Sequence, residues 1–361
     1  MTQAESEFER WKAHVSDKAQ LAELEALAAD PDELNDAFYQ ELSFGTAGLR
    51  GIIGMGPNRM NVYTVGKATQ GFANYLNAHY DDPSVAIARD SRIMGEDFVK
   101  AAAGVLAANG IVARVFPRIA PTPTLSFAVR DLGCQGGINV TASHNPAPYN
   151  GYKVYGDDGC QIASDVAEAI QKAIDDIDPF ADIRSMDFDE ALERGMVRWI
   201  DDGEYERFVD AVYAQSVEGD RADSAALSVV YTPLNGAGLE CVSAILQRIG
   251  IADLTVVPEQ AEPDGTFATC PYPNPESRPA LEYGLRLCER IEPDLLLATD
   301  PDADRAAVAV RHDGDYELLT GNELGILMLE YLCEMREERG EDLSDKVVVS
   351  TIEIGRASCR E

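Results

Sequence analysis

The segment TASHNPAPYNGYKVY, residues 141–155, carries the first chemistry in the chain. Ser143 leaves what reads as a strand, and two prolines with the Asn150-Gly151 pair suit a tight turn that exposes its side chain. A hydrolase serine would want G-x-S-x-G and a separate histidine base, whereas Ser143 lies between Ala142 and His144, and adjacent residues rarely form that relay. A serine that shuttles a phosphoryl group asks for less, because that transfer is mostly positioning and charge neutralisation around an in-line attack. Lys153, ten residues on, fits that need. The alternative is a structural turn with a surface serine.

A second cluster is ATDPDADR, residues 298–305, where Asp300, Asp302 and Asp304 follow an apolar strand and alternate positions converge on one point. Hard divalent cations prefer oxygen ligands, and Mg²⁺ bound by carboxylates keeps coordination positions for a phosphate oxygen. A calcium EF-hand loop is disfavoured, since its sixth and twelfth positions hold Arg305 and Arg311 instead of Gly and Glu. An aspartate-nucleophile phosphatase and a solvated acidic loop stay open.

FGTAGLRG, residues 44–51, runs into GMGPNRMN, residues 54–61. Glycines there would let backbone N–H groups approach an anion, and Arg50 or Arg59 would fork onto phosphate oxygens. The chain has only seven lysines, which adds weight to Lys153.

These side chains need strand ends to present them. VAIAR (85–89), a helix over 95–110 and IVARVF (111–116) make a βαβ unit; PTPT (121–124) opens another helix, and GGINVTAS (136–143) is a strand delivering Ser143 at its carboxyl end, where sites in open α/β sheets lie. The grammar restarts at residues 226–238 with a strand and Gly-rich turn, then a helix over 239–250 and a strand over 252–257. A Pro-rich loop through PYPNPE (271–276), a helix from about Pro279 to Glu289 and the strand DLLLATD (294–300) follow. The acidic stretch 187–208 reads as a boundary. A third unit begins near Leu318 with a helix over 321–338 and a strand KVVVST (346–351), and is incomplete. The predicted domains are 1–200, opening with Leu/Ala-rich helices and holding the serine loop; 201–312, holding the aspartates; and 313–361.

Composition bounds the function. Of 361 residues, 45% are apolar and 26% charged, which is globular; 30 Lys+Arg against 63 Asp+Glu give a formal charge of -33, which repels nucleic acid and anionic membranes. No apolar run approaches the roughly 20 residues of a membrane span, and the acidic start MTQAESEFER is unlike a signal peptide, so the expected location is cytoplasmic. Seven scattered cysteines without C-x-x-C and four histidines at 14, 79, 144 and 312 fit no thiol or zinc site, so any metal should be oxygen-ligated.

Taken together, FGTAGLRG, NRMN, ARDSR (88–92), PTPTLSFAVR (121–130), the serine loop, YTPLNGAG (231–238), PNPE (273–276), ATDPDADR and LLTGNELG (318–325) resemble the α-D-phosphohexomutases, in the phosphoglucomutase-like and phosphopentomutase-like branch, from about Phe8 to Thr351. The resemblance implies an α/β, multi-domain architecture of mixed-sheet units around a cleft. It implies that Ser143 is the phosphorylated residue, that Asp300, Asp302 and Asp304 hold Mg²⁺ with a phosphate oxygen of phospho-Ser143 completing the shell, and that Arg50 and Lys153 act in acid/base or charge-stabilising roles. Arg305 matches an active-site arginine; His144, Asn145 and Arg92 match positions that shape the loop; these four and Arg59 form the expected phosphate-binding set. Asn235 stands where the family often has His.

The activity so implied is a phospho-sugar mutase that exchanges the 1-phosphate and terminal phosphate of an aldose through phosphoserine and a bisphosphate. Glucose 1-phosphate and glucose 6-phosphate come first, with glucose 1,6-bisphosphate as intermediate and activator; mannose or pentose phosphates are alternatives. From other classes, a metal-dependent phosphatase and a non-catalytic phospho-sugar-binding protein remain. The oligomeric state is not readable. The sugar-gripping segments of the third and fourth domains are expected to be missing, leaving this chain inactive alone. Residues 354–361 read as a translated sequencing adaptor, so native sequence is expected to stop near Ile352.

Overall fold

The structure, a computed structural model, describes residues 2–217 and 227–349. Contacts divide it into two units: the first runs to Glu204 and includes Asp264–Tyr272, and the second comprises Tyr205–Pro263 and the chain from Pro273 onward.

The first unit opens with α1 (Gln3–His14), α2 (Lys18–Leu27) and α3 (Pro31–Phe38), started by Thr2, Asp17 and Asp30, whose side chains accept the orphan N–H groups of the first turns. The apolar faces of these helices meet around Phe8, Trp11, Leu24 and Phe38. There follow β1 (Leu49–Ile52), α4 (Val62–His79), β2 (Ser84–Arg89), α5 (Gly95–Ala108), β3 (Val112–Val115), α6 (Thr122–Asp131), β4 (Gly136–Val140), β5 (Tyr149–Tyr155), α7 (Ser164–Asp175), α8 (Phe188–Glu193) and β6 (Val197–Trp199). The sheet order is β1-β5-β4-β2-β3-β6. Strands β4, β2, β3 and β6 are parallel, and β5 and β1 add antiparallel on one side. Parallel strands buried on both faces need near-continuous apolar runs, and β4 is buried at all five positions.

The second unit contains α9 (Gly203–Tyr213, whose first two residues belong to the first unit), β7 (Ser228–Thr232), α10 (Leu239–Arg248), β8 (Asp253–Val256), α11 (Pro258–Ala261), α12 (Glu282–Ile291), β9 (Leu295–Thr299), β10 (Ala306–His312), β11 (Asp315–Leu319) and α13 (Gly321–Glu338). Its order is β11-β10-β9-β7-β8, with β9, β7 and β8 parallel and a β10-β11 hairpin added antiparallel. The chain therefore makes the same turn twice. From β2 it goes to β3 on one side and then to β4 on the other; from β7 it goes to β8 and then to β9. Each reversal opens a crevice at the carboxyl ends of the central strands, the place where open α/β sheets bind ligands.

The acidic stretch 187–208 supplies α8 and the edge strand β6, because Phe188, Ala191, Leu192, Met196 and Val197 pack into the first core between the acids, and the division between the units falls inside it, after Glu204. Two expectations change. The second sheet runs on to Leu319, inside the segment expected to open a third unit, because Asp315–Leu319 pairs with β10. Val347–Val349 pair with no strand among the described residues and stand exposed. The tail 353–361 lies outside the described residues. Helix α13 buries no residue and leaves Ile326, Leu327, Met328 and Leu329 exposed. Among the described residues no helix is long and apolar enough to cross a membrane. Burial pushes the thiols of Cys270 to about 11 and Cys288 to about 12, which leaves them protonated near neutral pH.

Candidate active site

Strand β4 stops at Val140, and Thr141 begins a turn held by side chains. The N–H of Ser143 donates to Thr141 Oγ1 at 2.8 Å, and the Thr141 hydroxyl donates to Asp90 Oδ2 at 2.6 Å. Ser143 itself is left-handed, with φ +52°. That conformation is uncommon for serine and costs on the order of 1–3 kcal/mol, so the surroundings must impose it. Arg92 does much of this. Its guanidinium donates to the carbonyls of Ser143 (2.6 Å), Asn145 (2.5 Å), Pro146 (3.0 Å) and Tyr149 (2.8 Å), with no side-chain exposure. Asp90, equally buried, pairs with it at 3.3 Å and accepts its backbone N–H at 3.0 Å.

The turn brings Ser143 Oγ to 3.1 Å from Nδ1 of His144. With Nδ1 unprotonated, the serine hydroxyl donates to it. The left-handed residue thus makes the neighbour hydrogen bond on which a relay would have depended. Asn145 Oδ1 accepts from Arg50 Nη1 at 3.1 Å, tying β1 to the serine loop. Arg50 pairs with Gly151 and Lys153 with Asn139, and paired positions share a sheet face. Arg50, Lys153 and Asn139 therefore lie on one face, with Lys153 buried. Gly151 is required there, since a Cβ would lie 2.4 Å from the Thr141 carbonyl oxygen.

Two expected phosphate ligands are engaged elsewhere. Arg59 is buried and donates to Asp36 Oδ2 at 2.6 Å, where it clamps the 54–60 turn onto α3. Arg92 turns both terminal nitrogens onto carbonyls of the serine loop, so it shapes the loop. The glycine-rich run is likewise structural. Asn61 caps α4 and donates to the carbonyls of Gly54 and Gly56, and a Cβ on Gly56 would sit 2.6 Å from Ala37 O. Asp90 and Thr141 were missed as site residues; the carboxylate two places before Arg92 in ARDSR was the available signal.

In the second unit, β9 ends at Thr299 and delivers Asp300. Ala303 N–H returns to Asp300 O at 2.9 Å, and Arg305 N–H donates to Asp300 Oδ1 at 3.0 Å. Leu234 and Asn235, both left-handed, bend the neighbouring turn so that Ala237 N–H reaches Pro301 O at 2.8 Å. Asn235 tolerates that conformation well and donates to Glu262 O at 2.8 Å. One oxygen from each of Asp300, Asp302 and Asp304 falls within 4.8 Å of the others. Asp300 and Asp302 are fully buried; Asp304 and Arg305 are exposed. Burial first, then the charges of Asp302 and Asp304, raise the Asp300 carboxyl to about 9. Three converging carboxylates, two of them out of water, fit a hard divalent cation such as Mg²⁺.

Family models match both units: phosphoglucomutase/phosphomannomutase α/β/α domain I over residues 41–180 and domain II over residues 206–314. The chain belongs to the α-D-phosphohexomutase superfamily. It is 39% identical over 300 residues to a phosphoglucomutase of Staphylococcus saprophyticus, covering 83% of this chain and 54% of that protein. To a phosphoglucomutase of Staphylococcus aureus it is 34% identical over 322 residues, covering 88% and 57%. Among solved structures, a phosphomannomutase described as putative from Thermus thermophilus superposes with a TM-score of 0.69 at 25% identity, covering 82% of this chain and 62% of that one. A family protein from Burkholderia thailandensis gives 0.64 at 22%, which speaks to the fold. The chain spans just over half the length of these curated relatives. Helices α1–α3 precede the residues that the domain I model matches.

Proposed function

We propose that the protein is the phosphoryl-transferring part of a phospho-sugar mutase, with Ser143 as the phosphorylated residue. The observation that carries this reading is the Ser143 turn: a nucleophile forced out of strand geometry, hydrogen-bonded to His144 and locked by Arg92. In the forward step the P–O bond to Ser143 Oγ breaks as a sugar hydroxyl oxygen bonds to phosphorus. The hydroxyl proton leaves to a base, and the freed Ser143 alkoxide takes a proton from His144 when Nδ1 carries one, which leaves Nδ1 as the acceptor of the serine hydroxyl. The bisphosphate so formed returns its other phosphoryl group to Ser143. Both esters have similar transfer potential, so the cycle runs near equilibrium.

Asp300, Asp302 and Asp304 would hold Mg²⁺, which when bound would supply charge to neutralise a phosphoryl group. Arg50 and Lys153 add fixed positive charge on the same sheet face, and Arg305 is the exposed cation of the metal loop. Glucose phosphates are the favoured substrates, because the two curated relatives are phosphoglucomutases.

Glucose 1-phosphate supplied with Mg²⁺ and catalytic glucose 1,6-bisphosphate tests the reading, using the protein extended to its relatives' length. A mutase makes glucose 6-phosphate and almost no inorganic phosphate. Continuous phosphate release would establish a phosphatase instead, and turnover of neither would leave a binding protein.

A further inference from the structure

Residues Asp264–Tyr272 follow β8 and α11 in sequence yet belong to the first unit. Their placement rests on contacts with Arg92 at one end and with the serine turn at the other. Gly265 forms a parallel bridge with Arg92, so close that a Cβ would lie 2.5 Å from Ser91 O and 2.6 Å from Ile93 N. Phe267 is fully buried, and the Arg92 guanidinium lies 5.0 Å from its ring centroid. Nine residues of strap thus begin by covering the arginine that grips four carbonyls of the serine loop. At the far end the ring of Tyr272 meets His144 edge-on, centroids 5.9 Å apart, and His144 is the residue bonded to Ser143 Oγ.

The strap is stiff in its own right. Asp264 accepts from Thr266 N–H at 2.9 Å and its hydroxyl at 2.7 Å, Cys270 N–H donates to Phe267 O at 2.9 Å, and Cys270 Sγ donates to Tyr272 O. Phe267 has φ +47°, strained for an aromatic residue. A bulky residue held in that conformation signals that its ring must be where it is. Tyr272, by contrast, is about half exposed, and folding does not require it.

We infer that Asp264–Tyr272 is a strap that sets the conformation of the serine turn, with Phe267 positioning Arg92 and Tyr272 positioning His144. This rests on the reading of Ser143 as the phosphoryl acceptor, but the conformational part stands without it. A cation over an aromatic face orients the guanidinium plane without competing for its two terminal nitrogens, which donate to the loop carbonyls. The edge-on tyrosine contact fixes the imidazole plane, and with it the direction in which Nδ1 meets Ser143.

The test uses the full chain as wild type, Phe267→Leu, Tyr272→Ala and Tyr272→Phe. Two readouts are taken: amide hydrogen exchange across 141–149, and the rate at which glucose 1,6-bisphosphate with Mg²⁺ phosphorylates Ser143. Phe267→Leu should speed exchange in 141–149 about tenfold while peptides from β2 and β4 stay protected. Tyr272→Ala should slow phosphorylation about fivefold and loosen exchange at 143–147, and Tyr272→Phe should match wild type because the ring, not the hydroxyl, makes the contact. Wild-type exchange in Phe267→Leu and Tyr272→Ala would overturn the strap. If Phe267→Leu exchanges throughout, the exposed Tyr272 pair decides by the same exchange readout. An unphosphorylated wild type would sink the mutase reading, and the exchange arm would still judge the strap.

Discussion

Asp90 and Arg92 lie two residues apart, share an ion pair at 3.3 Å with no side-chain exposure on either partner, and both hydrogen-bond to the serine loop. Such a pair is weak evidence for stability as a whole, but breaking it leaves a buried charge uncompensated.

Asp90→Asn should therefore destabilise the first unit by about 3–5 kcal/mol, read by urea unfolding. Phosphorylation of Ser143 should fall with it, since Thr141 and Arg92 both lose the carboxylate that fixes them. A variant as stable as wild type would mean that the loop is held by other contacts.

Arg59→Ala should lower stability and leave KM for the phospho-sugar unchanged, because the guanidinium is committed to Asp36. Asp36 is more than half exposed, so the loss should be nearer 1 than 3 kcal/mol, measured as a Tm shift. A several-fold rise in KM at unchanged Tm would restore Arg59 to the phosphate site.

Much of this was legible in the sequence, and what was not has physical causes. Apolar runs and Gly-Pro punctuation located β2, α5, β7 and β9 to within a residue or two. Ser143 and the aspartates stood out because strand ends present side chains. A relay to His144 was argued against because adjacent residues rarely form one; neighbours in extended chain point to opposite sides, and φ +52° at Ser143 takes this pair out of extended chain. Asp90 and Phe267 act through contacts far along the chain, such as the 51 residues from Asp90 to Thr141, and periodicity carries no trace of such pairs. The Asp36 bond of Arg59 was not legible, because a glycine-rich turn with an arginine looks the same whether it packs on a helix or cradles an anion.

Mg²⁺ should stabilise the second unit more at high pH than at low pH. The Asp300 carboxyl is raised to about 9, above an unfolded value near 4. Without metal, the folded state holds the proton more tightly, so its contribution is fully present below pH 4 and is lost as pH rises toward 9. The Tm gain from saturating Mg²⁺ should thus be larger at pH 8 than at pH 5, and Asp302→Asn should shrink it. Equal gains at both pH values would contradict the assignment.

Lys153→Ala should lower kcat more than it raises KM, as expected for a charge acting on the transferring group. Equal losses in both would make Lys153 a ground-state phosphate clamp.

The central claim is that Ser143 carries the phosphoryl group, and site mapping tests it most directly. The protein is incubated with Mg²⁺ and glucose 1,6-bisphosphate, digested, and its phosphopeptides sequenced by mass spectrometry. The account predicts one acid-stable phosphoryl group on Ser143, lost in Ser143→Ala and on metal chelation. A hydroxylamine-sensitive acyl phosphate on Asp300, or no phosphopeptide at all, would contradict it.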